Sequence, residues 1–227
     1  MTRLRLPLVA LTAAAGVLAF LGLGLSVNRS DTATLFRYQF LCLGISAIAL
    51  VAIRVITKQK FEFLRFGNWS APAQEIKFLG VKKGESWARV GLTFAIVVSV
   101  ATAAFMYFGF SVTFTDISAA MWATALFLAL PLSIMNSLNE ELVTRWSVVE
   151  GLRGTQFFKF APVISAAIFG TAHYFGTPGG FVGVLMAGFL GWLLSKSIQD
   201  TRGIGWAWLI HFLQDVIILT VVIASSM

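Results

Sequence analysis

Long apolar runs alternate with short polar connections along almost the whole chain of 227 residues. A bilayer span needs roughly 20 mostly apolar residues, and such runs recur here too often to be core helices of a soluble domain. The pattern predicts spans near residues 6–27, 39–57, 90–112, 118–151, 158–176, 181–198 and 204–225. We therefore expect an all-α, polytopic transmembrane helical bundle of about seven spans, with an eighth span or a re-entrant piece left open.

Composition supports the membrane assignment. The chain is 58% hydrophobic and only 12% charged, whereas soluble domains carry about 25% charged residues. The first apolar run follows Arg3 and Arg5 and is longer than the 7–15 residues typical of a cleavable signal peptide. We interpret it as a retained first span. The single Cys42 can form no internal disulfide, so it leaves the redox compartment undetermined.

The net charge of +7 by itself could suggest a nucleic-acid-binding protein. The basic residues, however, lie in the connections between apolar runs, and 15 of the 17 fall on one side of the predicted topology. Only Arg29 and Arg37 fall on the other side. The positive-inside rule then predicts a multi-pass protein of the cell membrane with a cytoplasmic N-terminus and, for seven spans, an external C-terminus. We expect membrane lipids and no nucleic acid as partners.

Two further segments have a recognisable pattern. The connection at 58–89 mixes aromatic with basic residues, which is typical of an interfacial segment against anionic headgroups; an ordinary cytoplasmic loop remains the alternative. The sixth predicted span carries small residues four apart on one face, a pattern that lets helices approach closely in lipid. These residues are Gly183, Ala187, Gly191 and Ser195.

Candidate chemistry comes from ionisable residues inside the apolar runs, where each costs at least about 2.5–3.5 kcal/mol at a helix centre. In the first group, Glu141 and Arg145 are i,i+4 neighbours in the order that favours pairing. Glu140 points about 100° away around the helix and has no such partner. One carboxylate is thus neutralised and the other is free to act. The alternative is a helix end with two solvated acids.

The other two groups each contain a histidine, and the chain has only two. His173 follows Phe169 by one helical turn, and His211 precedes Asp215 by one turn. The structural alternatives are an interhelical hydrogen bond for His173 and a polar staple between helices for the His211–Asp215 pair. Counting residues along the predicted hairpins allows all three groups to converge on one pocket reached from the cytoplasmic side, with His211 shallower than Glu140 and His173.

The three groups together resemble a known family. The patterns are Glu-Glu-x3-Arg at 140–145, Phe-x3-His at 169–173 and His-x3-Asp at 211–215, in that order and in three hydrophobic segments. This combination resembles the CPBP family of intramembrane proteases, also called the Abi or CAAX-processing type II family. The resemblance covers about residues 118–222 and divides the chain into a catalytic helical core at 118–227 and N-terminal helices with the basic loop at 1–117.

The resemblance implies hydrolysis of a peptide bond within the membrane. It implies that Glu140 is the general base that activates a water and that His173 holds and polarises this water. It further implies that His211 and Asp215 stabilise the oxyanion. Because an ionised carboxylate would repel an oxyanion, we expect Asp215 to orient His211 and to supply the counter-charge for its imidazolium. The supporting residues would be Glu141, Arg145 and Phe169.

The resemblance implies a peptide or protein substrate, lipid-modified or membrane-embedded, and we expect no cofactor. A zinc-dependent protease that uses Glu140, His173 and His211 as ligands is the first alternative, although the chain has no His-Glu-x2-His pattern and no evident cysteine ligand. A non-catalytic scaffold or immunity-type protein on the same fold is the second. A small transport protein that protonates the same residues is the third, and it would be expected to show internal repeats or broken helices.

Overall fold

The computed structural model describes residues 2–28, 31–109, 116–176 and 179–227. Its α-helices are α1 (Thr2–Gly24), α2 (Thr32–Thr57), α3 (Trp87–Gly109), α4 (Ala119–Glu140), α5 (Ser147–Leu152), α6 (Ala161–Ala172), α7 (Gly180–Thr201) and α8 (Gly205–Ala224). The only extended pairing within these ranges consists of two isolated β-bridges. The predicted all-α bundle is confirmed.

Six helical stretches in the described ranges are long and apolar enough to cross a membrane. The fifth predicted span, 158–176, is α-helical only over the 12 residues of α6, about 18 Å at 1.5 Å per residue. One-turn 3-10 helices at Phe158–Phe160 and His173–Phe175 extend it at both ends. The polytopic bundle is therefore confirmed, but one of its segments is shorter than the apolar pattern suggests. Arg29 lies outside the described residues.

The fourth predicted span is one continuous helical stretch, Ala119–Leu152. Between α4 and α5 its backbone changes to a π-helix over Glu141–Trp146, a feature the sequence did not predict. A π-turn adds a residue per turn, which rotates the side chains that follow, and such turns are frequent at functional sites. Every residue of this π-helix is buried. Gly16 of α1 lies directly against Val143, because a Cβ at residue 16 would come within 2.5 Å of that side chain.

One end of the bundle collects the beginning of α1, the end of α2 and the end of α5. Arg5 donates to Gln59 at 3.4 Å, and the Glu62 amide donates to Glu150 at 2.9 Å. The turn between α7 and α8 lies at the same end, where Gly67, with a positive φ of 82°, packs against Gly203. Most of the basic connections predicted to be cytoplasmic therefore meet at one face, as the charge pattern indicated; which side of the membrane this face occupies stays a prediction.

The 58–86 segment folds over this end of the bundle. Phe63 is buried, and Phe61 meets the ring of Trp146 with centroids 4.8 Å apart. Trp69 packs on Trp206 at 4.7 Å. Several of its aromatic rings thus pack on protein, whereas Phe66 and Phe78 are exposed. Contact of this segment with lipid headgroups stays a prediction.

The small-residue face of α7 packs as predicted. Gly183, Ala187, Gly191 and Ser195 are all buried, and a Cβ at Gly191 would meet Phe169 and the α6 backbone at 3.3 Å. This close approach fixes α6, and with it the wall formed by Phe169, against the rest of the bundle. The largest core cluster includes residues from both sides of the 117/118 division, such as Ile53 and Ile210.

Candidate active site

Three acidic side chains, one arginine and one histidine form a cluster inside the bundle. Glu140 ends α4, and Glu141 begins the π-helix that also carries Arg145. His211 and Asp215 lie one turn apart on α8, the helix that packs along α4. The spacing along each helix set the local faces, and the packing of α8 on α4 joins them into one site.

Glu141 lies at the centre of the cluster and has no solvent-exposed side-chain surface. Its Oε1 accepts a hydrogen bond from Arg145 Nη1 at 2.6 Å and contacts His211 Nδ1 at 2.8 Å. The predicted i,i+4 pair between Glu141 and Arg145 is therefore present. Glu141 also has a second role that the sequence did not indicate, because it orients the imidazole of a different helix.

Glu140 has a different environment. Its side chain is 22% exposed, and its Oε2 lies 3.4 Å from His211 Nε2. Asp215 lies on the same side of the imidazole, with Oδ1 3.7 Å from Nε2. His211 thus contacts Glu140 directly, so the expectation that it sits shallower in the membrane was wrong. Residue counting along single helices does not include the way in which α8 packs along α4, and this packing decides which side chains meet.

The short hydrogen bond that orients His211 comes from Glu141 rather than from Asp215. The Asp215 contact of 3.7 Å is within ion-pair range but beyond the usual hydrogen-bond length. The expected orienting role of Asp215 is therefore shifted to Glu141. Its expected role as a counter-charge beside the imidazole is compatible with its position.

His173 stands at the edge of the cluster, immediately after α6. Its Nδ1 is 3.0 Å from the Phe169 carbonyl oxygen, and its ring centroid is 4.2 Å from that of Phe169. Phe169 also lies 5.6 Å from the His211 ring and 3.7 Å beneath the Arg145 guanidinium. One phenyl ring therefore forms a common wall against both histidines and the arginine. The Phe-x3-His spacing therefore places the ring of Phe169 against the ring of His173.

A zinc site on Glu140, His173 and His211 is not assembled. Within the described ranges, no group of three or more His, Cys, Asp or Glu side chains is placed to hold a metal ion. The three predicted ligands are therefore not arranged as a preformed metal site among the described residues, and we derive no step through a metal.

Amide side chains complete the surroundings of the cluster, and the sequence reasoning missed them. Asn136 Nδ2 donates to Glu140 Oε1 at 3.3 Å and to Asp215 Oδ2 at 3.1 Å. Asn136 precedes Glu140 by one turn, so the same i,i+4 argument that paired Glu141 with Arg145 could have found it. Gln39 of α2 donates to Asn136. It could not have been found by the i,i+4 argument, because the two residues are 97 positions apart.

The fold and the site together define a helical membrane protein with a polar, partly accessible carboxylate–histidine cluster between its helices. A family model described as Type II CAAX prenyl endopeptidase Rce1-like matches residues 122–217. This match confirms the resemblance to the CPBP/CAAX protease family over a segment somewhat shorter than half of the chain, and it indicates a peptidase that acts on a peptide or protein. No curated protein and no solved structure matches the chain.

Proposed function

We propose that the protein is an intramembrane endopeptidase in which Glu140 activates a water for attack on a peptide bond. The observation that supports this most directly is the contrast among the three carboxylates. Glu140 is the most exposed of them, at 22%, and it lies next to the almost fully buried His211. Glu141 is inaccessible, and Asp215 is only 11% exposed. Glu140 is therefore the carboxylate best placed to meet both a water and a substrate.

In the proposed reaction, the Glu140 carboxylate removes a proton from a water whose oxygen attacks the carbonyl carbon. The carbonyl π electrons move to oxygen and form a tetrahedral oxyanion. When the oxyanion collapses, the C–N bond breaks and the proton held by Glu140 passes to the departing amine. General acid–base assistance of this kind is worth about 10²–10⁴-fold in rate. His173, half-buried beside the Phe169 wall, would hold the attacking water.

His211 is the proposed donor to the oxyanion. An imidazolium would donate Nδ1–H to Glu141 and direct Nε2–H toward the side where Glu140 and Asp215 lie. The hydrogen bond to Glu141 fixes the ring before the reaction begins. Preorganised donors of this type stabilise an oxyanion without reorganising in the transition state. Asp215 would supply counter-charge to the imidazolium rather than contact the oxyanion itself.

We propose that the substrate is a membrane-associated peptide or protein, with a lipid-modified C-terminal tail as the first class to test. We also propose that the protein lies in the cell membrane and is approached from its cytoplasmic side. The start of α8 lies at the bundle end that collects the basic connections, and His211 follows it by six residues, or about 9 Å along the helix. The site is therefore within reach of a peptide bond near that interface.

The test compares purified wild type, Glu140→Ala and His173→Ala in liposomes. Each is incubated with prenylated and unprenylated forms of the same peptides, and cleavage is followed by mass spectrometry. We expect wild type to cleave at one bond, Glu140→Ala to be inactive and His173→Ala to be strongly impaired. Cleavage that survives both substitutions would overturn the site assignment, and equal rates on both peptide forms would remove the lipid requirement.

A further inference from the structure

The described residues contain a row of amide side chains that leads from α2 into the candidate active site. Gln39 Nε2 donates to Asn136 Oδ1 at 2.8 Å, and Asn136 Nδ2 donates to both Glu140 and Asp215. On its other side, Gln39 accepts from Asn139, whose Nδ2 lies 3.3 Å from Gln39 Oε1. Gln39 is buried, at 5% exposed, and Asn139 is buried at 1%.

Both ends of this row fix the direction of every amide in it. Asn139 Nδ2 also donates to the backbone carbonyl of Gln39 at 3.1 Å, and a carbonyl oxygen only accepts. Asn139 must therefore present its NH2 to Gln39, which turns Gln39 Oε1 toward Asn139 and Nε2 toward Asn136. Ionised carboxylates also only accept, so the opposite end demands an NH2 group from Asn136. The two constraints agree.

We propose that Gln39 and Asn136 are positioning residues of the protease site: Gln39 sets the orientation of Asn136, whose NH2 group holds the Glu140 and Asp215 carboxylates in their working places. This inference rests on the proposed function and extends it to the N-terminal half of the chain. Gln39 lies outside the matched segment 122–217, so the site draws on a helix that the family match does not include.

The physical reason is the crowding of negative charge. Glu140 and Asp215 both approach His211 Nε2, so they also approach each other. The two N–H bonds of Asn136 Nδ2 bridge these carboxylates. Each carboxylate thereby accepts a hydrogen bond from a neutral group, and no positive charge is added to the site. Without the bridge, either carboxylate can rotate away, and a misplacement of about 1 Å can lower a rate about 10²-fold.

Gln39→Glu is the decisive variant because it keeps the shape and replaces the donor by an acceptor. The new carboxylate would face Asn136 Oδ1, and Asn136 would turn its oxygen toward Glu140 and Asp215. We expect kcat in liposomes to fall about 10- to 100-fold with KM within about twofold of wild type, because only the placement of the reacting groups changes. Gln39→Met removes the donor without adding a competing acceptor, so we expect a smaller loss of kcat in the same direction.

Ser46→Ala is the matched control on the same helix. Ser46 donates to Asn139 Oδ1 at 3.1 Å, at the far end of the row, so its loss leaves the Gln39–Asn136 contact intact. We expect its kcat to stay within about twofold of wild type. All variants are compared at equal folded fraction, measured by size-exclusion chromatography and thermal unfolding.

A double-mutant cycle separates positioning from general destabilisation. If Gln39 acts through Asn136, Gln39→Glu should have no further effect on kcat in an Asn136→Ala background. Independent losses that multiply would overturn the proposal, and so would wild-type kcat in Gln39→Glu.

If the wild type cleaves no peptide, the proposed function is wrong, but the positioning of the carboxylates by Gln39 and Asn136 can still be tested. Infrared titration of the carboxyl groups, assigned with Glu140→Gln and Asp215→Asn, should then show a shifted midpoint in Gln39→Met but not in Ser46→Ala. Unshifted midpoints in Gln39→Met would overturn the proposal on their own.

Discussion

Two charge clusters of this protein, each containing a buried glutamate, are built in opposite ways. At the end of the bundle, Glu150 accepts from the amides of Glu62 and Phe63 at 2.9 and 2.8 Å and pairs with Arg153 at 2.7 Å. Glu62 pairs in turn with Arg153 and Arg202. Two acids meet two arginines, and both oxygens of Glu150 are occupied.

In the cluster around Glu140 the charges are not balanced, and some polar atoms have no hydrogen-bond partner. Three carboxylates share one arginine and one histidine. Among the described residues, Glu141 Oε2 and Arg145 Nε and Nη2 are buried without a hydrogen-bond partner. Buried polar atoms are normally satisfied, so such exceptions need an explanation. A cluster that only held helices together would be expected to balance its charges as the one at Glu150 does, and the excess of carboxylates around Glu140 is consistent with the chemical role proposed for it.

Ranked by the expected change in kcat, the larger effect that separates the two clusters belongs to the cluster around Glu140. In Asp215→Asn, the side-chain oxygen still accepts from Asn136, but the negative charge beside His211 Nε2 is lost. We expect kcat to fall by about tenfold, which corresponds to about 1.4 kcal/mol in the barrier, with little change in thermal stability. The measurement is steady-state cleavage in liposomes beside a thermal unfolding curve. Full activity would show that the counter-charge is unnecessary.

The next expected effect is on stability rather than on catalysis. Glu150→Gln places an NH2 group against either Arg153 or the two backbone amides, all of which are donors. We expect a loss of about 1–3 kcal/mol in the free energy of unfolding and an unchanged kcat per folded molecule. Unfolding is followed in detergent by circular dichroism, and cleavage is measured on the surviving folded fraction. A drop in kcat at full folding would mean that the two clusters are not functionally separate.

The smallest expected effect is that of chelation. The carboxylates and histidines of the Glu140 cluster contact one another in a way that leaves no preformed three-ligand set among the described residues. We expect cleavage to be unchanged after prolonged treatment with a strong chelator, and metal analysis of the purified protein to find less than stoichiometric zinc. Activity that disappears with the chelator and returns with added zinc would restore the metalloprotease alternative.

The proposed site was only partly predictable from the sequence. The pairs along single helices, Glu141 with Arg145 and His211 with Asp215, follow from a repeat of 3.6 residues per turn. The short contact between Glu141 and His211 does not, since it joins residues 70 positions apart. It depends on where α8 crosses the helix of Glu141, and on a π-turn that begins at that residue.

The sequence by itself determined that this is a helical membrane protein with ionisable groups inside its apolar segments. Hydropathy and helical periodicity are local properties, and the bilayer permits few other spanning structures. Only the tertiary structure decided which groups meet. It made Glu141 the partner of His211, brought Gln39 of α2 next to Asn136, and folded the 58–86 segment over the bundle end. Such contacts are set by helix packing, in which small residues such as Gly16 and Gly191 allow close approach, and no spacing along the chain encodes them.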